Sequence, residues 1–349
     1  MTPRQRWLAL LNDRKPDRIP TDYWATGEVT ARLLKELGCR NEWDLFERLH
    51  IDGPYHLSAP PTATSHPQDP QADIWGICYR NVDYGTGVYK EAVHSPLAEM
   101  TTPDEVHQFA WPDPEDHDFA EAARRADNLP DDRIIFAGDY EPFLLYCRMR
   151  GMERSYMDLL LSPEIADAIL GHIFDYHYRL NERLFDIGGD RIDVASLAED
   201  LGGQTGLLMG LEQIRRFILP NQKRMADLAR RHGYRILYHT DGAARDVLPD
   251  LVNVIGIDIL NPIQWRCPGM DREGLVRDFG DRLIFHGAID NQYTLPRGTV
   301  DQVRQEVLDC IRIFAPARWV CAPCHNIQPV TPTENIVAMY ETVHQYGRR

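Results

Sequence analysis

Seven places in this 349-residue chain put metal-binding or proton-carrying side chains directly after a short apolar run. They are Asp22 with Tyr23, Asp139 with Glu141, Glu199 with Asp200, His239-Thr240-Asp241, Asn261 with Gln264, His286 with Asp290, and Cys324-His325-Asn326. Groups of this kind converging on one mouth make either a metal site or a proton-transfer site. The sharpest combination is His239-x-Asp241 with Cys324. Two ligands one residue apart at a strand end can both turn toward a common axis, and a third from a later strand leaves a tetrahedral metal one open position, as in catalytic zinc. Plainer readings stand beside this one. A histidine at a strand end is more often a hydrogen-bonded rim residue, and Cys324 alone reads as a small buried hydrophobe. Asp139 and Glu141 read as caps of a following helix, and Glu199 and Asp200, before Gly202-Gly203, as loop carboxylates.

The elements that must position these groups are legible as short, unalternating apolar runs, the pattern of strands buried on both faces of a parallel sheet. The clearest are 134–139, 192–197, 235–240, 257–262, 283–288 and 319–323; two weaker ones, 19–23 and 52–58, bring the count to eight. Helices lie between them. Thr102-Pro103-Asp104-Glu105 and Thr331-Pro332-Thr333-Glu334 read as capping boxes, and Thr299 with Gln302 as a weaker one. Asp271 reads as a helix cap and Gly233 as a C-terminal stop. Val303, Val307, Ile311 and Phe314 share one helical face.

Strand–helix alternation implies right-handed parallel crossovers. Eight such strands favour a closed (β/α)8 TIM barrel over an open doubly wound sheet, and no Gly-x-Gly-x-x-Gly follows the first strand. The expectation is an α/β fold, a single domain over 1–349 with an N-terminal extension. A long excursion between strands 2 and 3, residues 59–132, carries the turn Asp83-Tyr84-Gly85-Thr86-Gly87 and is expected to roof the site. In such barrels catalytic groups sit at the C-terminal ends of the strands.

Composition narrows the function classes. Lys+Arg number 38 against Asp+Glu 53, a net charge of -15, and no basic run occurs, so no nucleic-acid partner is expected. No stretch of about 18 apolar residues appears, so no membrane span is expected, and the N-terminal residues lack the apolar region of a secretory signal. Seven scattered cysteines do not form a disulfide framework, and a cytoplasmic location is the natural expectation.

Thr2-Pro3-Arg4-Gln5-Arg6 and Pro16-Asp17-Arg18-Ile19-Pro20 resemble the opening of the uroporphyrinogen decarboxylase superfamily. So do Glu199-Asp200-Leu201-Gly202, Asp258-Ile259-Leu260-Asn261-Pro262, His286-Gly287-Ala288-Ile289-Asp290, and His325-Asn326-Ile327-Gln328-Pro329 before Thr331-Pro332. The resemblance covers essentially the whole chain and implies one barrel with its site at the C-terminal mouth. Its decarboxylase branch grips an octacarboxylate through an Arg-Gln-Ala-Gly-Arg segment. Here no arginine occurs between Arg18 and Arg32, while Asp22 and Glu28 carry the opposite sign. Guanidinium pairing is what holds carboxylates, so that substrate is disfavoured. The methyltransferase branch binds zinc through His-x-Cys and a later Cys. His239 matches, Asp241 replaces the first cysteine, and Cys324, or by a one-residue shift His325, matches the second. An oxygen ligand leaves the metal more Lewis-acidic, favouring an ether or water-like oxygen over a soft thiol.

The resemblance thus implies a zinc-dependent methyltransferase or O-demethylase-like enzyme moving a methyl group between a small substrate and a corrinoid (cobalamin) carrier protein or other acceptor. The implied ligands are His239, Asp241 and Cys324. Glu199 and His325 are the implied catalytic groups, and Asp22, Asp139, Asn261, Gln264 and His286 the implied substrate contacts. The sequence leaves the oligomeric state open, a homodimer being one form compatible with it. The alternative is a cofactor-free decarboxylase acting on a smaller carboxylate; a barrel that only docks a corrinoid carrier or ligand is a third reading.

Overall fold

The computed structural model describes residues 1–85, 87–138 and 140–348. The strands in chain order are β1 (Tyr55–Leu57), β2 (Cys78–Asp83), β3 (Val88–His94), β4 (Ile135–Gly138), β5 (Val194–Ala198), β6 (Arg235–His239), β7 (Ile259–Asn261), β8 (Ile284–Ile289) and β9 (Arg318–Pro323). Seven of them form one parallel sheet in the order β1-β4-β5-β6-β7-β8-β9, while β2 and β3 pair as a separate antiparallel hairpin. The eighth stave is the segment at 20–22, which spans the two free edges. On one side Cys321 N donates to Pro20 O at 2.9 Å and Asp22 N to Cys321 O at 3.0 Å. On the other, Asp52 N donates to Thr21 O at 2.9 Å, while Thr21 N turns to the Asp52 carboxylate at 3.1 Å. A carboxylate thus replaces one rung of the ladder, and the (β/α)8 barrel closes as the strand count implies.

Inside the barrel the two-residue period of each strand stacks layers. Phe136, Val194, Leu237, Ile259, Ile284 and Val320 form a lower apolar layer with Trp7, Leu10 and Leu11 of the N-terminal helix Pro3–Leu11. That helix is the floor. Trp7 is fully buried, donates to Asp52 O at 2.9 Å, and lies against the His286 ring at 6.0 Å. Asp52, also fully buried, accepts from Arg6 at 3.0 Å and from Arg18 at 2.6 Å, so the charge is paired where isolation would be costly. Two residues beyond the apolar layer, the same inward face carries His239, Asn261 and His286.

Most local punctuation follows the residue chemistry. Thr102 and Thr299 form capping boxes, and Asp271 accepts from Gly274 N at 2.7 Å. Gly233 takes a positive φ of 82° directly after a helix. The box expected at Thr331 does not form. The helix Thr333–Tyr346 starts from extended Pro332, because Arg32 holds the preceding chain by donating to the carbonyls of Pro329 and Thr331.

The excursion at 59–132 lies against the long helix Pro163–Gly188, with Trp75 on Tyr176 at 4.7 Å and Trp111 stacked on His172 at 4.5 Å. Its expected turn falls between β2 and β3, where Tyr84 N donates to Gly87 O at 3.1 Å; Thr86 lies outside the described residues. The excursion does not roof the site: no residue lining the mouth cavity comes from it. Its aromatic residues are spent on the outer helix instead. No helix among the described residues is long and apolar enough to cross a membrane.

Candidate metal centre

At the C-terminal mouth lies a cavity of about 610 Å³. Tyr23, Trp24, Phe46, Phe136 and Tyr140 supply aromatic wall, Asp22, Glu42 and Glu141 supply carboxylates, and His56, His239 and His286 supply imidazoles. Among its described lining residues there is no lysine or arginine.

The polar layer is wired by register. His239 faces Asn261 across β6 and β7, and the Ile259–Ile284 pairing puts Asn261 beside His286. His239 Nδ1–H donates to Asn261 Oδ1 at 2.6 Å, and Asn261 Nδ2–H donates to His286 Nδ1 at 2.6 Å. His286 therefore carries its proton on Nε2 and donates it to Asp22 Oδ2 at 2.9 Å. Asp22 is steadied in turn by its neighbour, Tyr23 N donating to Oδ1 at 2.7 Å. The amide fixes both tautomers, because its oxygen can only accept and its nitrogen only donate.

One consequence falls on His239. With Nδ1 committed, Nε2 presents a lone pair, and it lies 3.7 Å from Asp200 Oδ1. Glu141 completes the group: ligand atoms of Glu141, Asp200 and His239 all lie within 4.8 Å of one another, the one such trio among the described residues. Two carboxylates and an imidazole lone pair converging this way could hold a cation. Asp200 is held by Asp241 N, which donates to its Oδ1 at 3.1 Å. The loops after β5 and β6 cross there at glycines. Gly242 has φ 75°, and a Cβ on it would meet Gly202 O at 2.5 Å.

The implied ligands part company. His239 belongs to the trio, but His239, Asp241 and Cys324 do not come together within the same distance. Asp241 pairs with His325, Oδ2 to Nε2 at 3.4 Å; burial raises its carboxyl, opposed by His239 and His325. Cys324 is 3% exposed and donates to Asn291 Oδ1 at 3.2 Å, and burial pushes its thiol up. All seven cysteines are free.

The other implied residues divide likewise. Asp22, Asn261 and His286 line the cavity; Gln264 does not, its side chain accepting from Gly242 N at 2.7 Å to brace the turn. Glu199 is fully buried behind the wall. Its Oε2 accepts from Phe143 N at 2.7 Å, and burial raises its carboxyl well above the usual range. His325 stands at the rim with its ring 4.7 Å from Trp24, which also contacts His239 at 5.6 Å. Asp139 lies outside the described residues.

Two of the trio, Asp200 and Glu141, are strand-end candidates in the sequence but not among the implied ligands, and Glu141 reads there also as a cap. It does occupy the N-cap of the helix Pro142–Arg150, yet makes no side-chain capping bond. Glutamate is not among the good N-cap residues, whose short side chains reach the helix N–H groups. That mismatch was the available signal. Trp24, Glu42, His56 and Tyr140, also in the wall, left no comparable pattern.

The shape has relatives. A methyltransferase from Methanosarcina mazei superposes with a TM-score of 0.68 at 17% identity, over 99% of each chain. A B12-independent methionine synthase from Shewanella sp. W3-18-1 reaches a TM-score of 0.38 at 12% identity, over 65% of this chain and 64% of that one. The first likeness establishes the fold, and the second carries no weight. A search of curated protein sequences finds no match. The family model for uroporphyrinogen decarboxylase (URO-D) matches residues 81–346, most of the barrel with its polar strand ends, and the chain belongs to that family.

Proposed function

We propose that this chain is a zinc-dependent methyltransferase or O-demethylase, with Glu141, Asp200 and His239 holding the metal. The observation that carries the reading is the trio, with the His239 Nε2 lone pair aimed by Asn261 at two carboxylates. The donor set fits: one imidazole and two carboxylates supply three protein ligands and leave a position open, as in catalytic zinc sites. Zinc there would supply Lewis acidity to the heteroatom that bears the methyl group.

The chain's own residues do the rest. The aromatic wall seats an apolar substrate body, and Asp22, His286 and Asn261 form a rigid polar floor. In the reaction the heteroatom–methyl bond breaks with its electron pair staying on the heteroatom, and the acceptor's electron pair forms the new bond to carbon. An alkoxide so released takes up a proton, which His325, paired to Asp241 at the rim, is placed to relay. The acceptor in this reading is a corrinoid on a partner protein. The reading agrees in kind with the methyltransferase from Methanosarcina mazei. A carboxylate substrate would meet Asp22, Glu42 and Glu141 with no lysine or arginine in the described wall, which is why decarboxylation ranks second.

The test incubates the protein with small methyl ethers and thioethers and reduced cobalamin, following methylcobalamin spectroscopically beside carbon dioxide release. Methyl transfer that chelator abolishes is expected. Carbon dioxide release from a carboxylate, without metal and without methyl transfer, would overturn the proposal.

A further inference from the structure

The charges in the cavity do not cancel even with the trio filled. Two carboxylates and a neutral imidazole balance one divalent cation, which leaves Asp22 and Glu42 in the same wall. Asp22 spends one oxygen on His286 and the other on Tyr23 N. Glu42 is exposed at the mouth and makes no hydrogen bond or ion pair among the described residues; partial burial raises its carboxyl, His56 lowers it and Asp22 raises it.

Glu42 has particular neighbours. It opens the helix Glu42–Leu49, and Phe46, one turn on, presents its ring to the same cavity. Tyr23 meets Phe46 edge-on at 5.8 Å, and its phenol is raised to about 12, chiefly by burial and in part by Glu42. Gly53 keeps this corner open, since a Cβ there would fall 2.8 Å from the Phe46 ring and 3.1 Å from Asp22 Oδ1. Arg133 also reaches the Phe46 ring, at 5.6 Å, but is anchored to Ile51 O and Glu47 and does not line the cavity.

A carboxylate beside the Phe46 and Tyr23 rings, with no lysine or arginine in the described wall and the His56 imidazole as its basic neighbour, is an environment that can hold an organic cation. The corner lies between the first stave and β1, which stand four and three places around the eight-stave barrel from the β6 stave that carries His239. We propose that Glu42, Phe46 and Tyr23 form a seat for an ammonium group, so that the substrate of this site is a small cation. Its positive end rests here and its methyl-bearing heteroatom faces His239. This substrate class rests on the methyl-transfer reading above, but the seat itself is tested by binding alone.

Three probes of one size separate the outcomes by calorimetry at about pH 8, where unperturbed histidines are neutral. They are (2-methoxyethyl)trimethylammonium, its uncharged carbon analogue 1-methoxy-3,3-dimethylbutane, and the anion 3-methoxypropanoate. The ammonium is expected to bind about tenfold or more tighter than the carbon analogue, and the anion most weakly. Glu42→Gln should erase most of that preference while leaving the carbon analogue's affinity unchanged, and Glu42→Asp should keep part of it. Measured on protein as purified and again after chelation, a preference that depends on Glu42 supports the seat whatever the trio holds and whether or not methyl transfer is found. Equal affinities for ammonium and carbon analogue, tighter binding of the anion, or a preference untouched by Glu42→Gln would overturn it.

Discussion

His239 and Asn261 are cross-strand neighbours in β6 and β7, and the 2.6 Å bond from His239 Nδ1–H to Asn261 Oδ1 decides which imidazole nitrogen faces the cavity. A histidine that binds metal characteristically gives its other ring N–H to an acceptor that fixes its orientation, and losing that partner costs about 10- to 100-fold in metal affinity. Asn261→Ala should therefore weaken zinc binding by about that factor while leaving the fold intact, as measured by competition with a chromophoric chelator. Unchanged affinity would mean the amide has no hold on the site.

The ligand assignment separates two cysteine-proximal readings. Cys324 is engaged with Asn291 and buried, so Cys324→Ser should leave bound zinc unchanged. Glu141→Gln should lower it by at least about tenfold, since it replaces an anionic ligand. Metal analysis of the two variants side by side decides between them; loss of zinc in the serine variant alone would restore the thiol as a ligand.

The floor of the barrel makes a stability prediction. Trp7 is fully buried among Phe136, Leu237 and the other inner residues. Trp7→Ala should cost about 3–5 kcal/mol of unfolding free energy, the usual range for emptying a large aromatic site. Urea titration measures it, and a loss under about 1 kcal/mol would show that the N-terminal helix is not part of the core.

Acid should loosen the excursion before the barrel. His177 stacks on Tyr140 at 4.7 Å, and burial, with His117 nearby, holds its pKa down at about 3. Burial also lowers His117 and His172, the latter under Trp111. An unfolded histidine protonates near about 6.5, so below that pH protons favour the unfolded form. The stability these neutral rings contribute is complete above about 6.5 and drains away as pH falls toward the depressed folded values. Hydrogen exchange at about pH 5 and about pH 8, corrected for intrinsic rates, should show protection lost first in 59–132 and the facing helix. Uniform loss across the barrel would contradict this.

The barrel was readable because strands buried on both faces, such as Val194–Ala198 and Ile284–Ile289, leave unbroken apolar runs. Their ends mark the mouth, and so His239, Asn261, His286 and Asp22 could be named in advance. What sequence spacing does not encode is which strand ends meet across the barrel. His239 and Asp241, one residue apart, turn to different partners, while Glu141 and Asp200 arrive from two other loops. Cys324 looks available in the sequence, yet its side chain turns to Asn291 in the buried wall. The β2–β3 hairpin escaped because its strands are largely exposed and polar, as in Tyr89-Lys90-Glu91, and only their turn carries a signal.

The central claim is that Glu141, Asp200 and His239 hold a divalent metal at the mouth of the barrel. Elemental analysis of the purified wild-type protein beside His239→Ala tests it most directly. About one zinc per chain in the wild type and almost none in the variant is the predicted result. A wild-type protein free of zinc, or a variant that keeps its full complement, would contradict it.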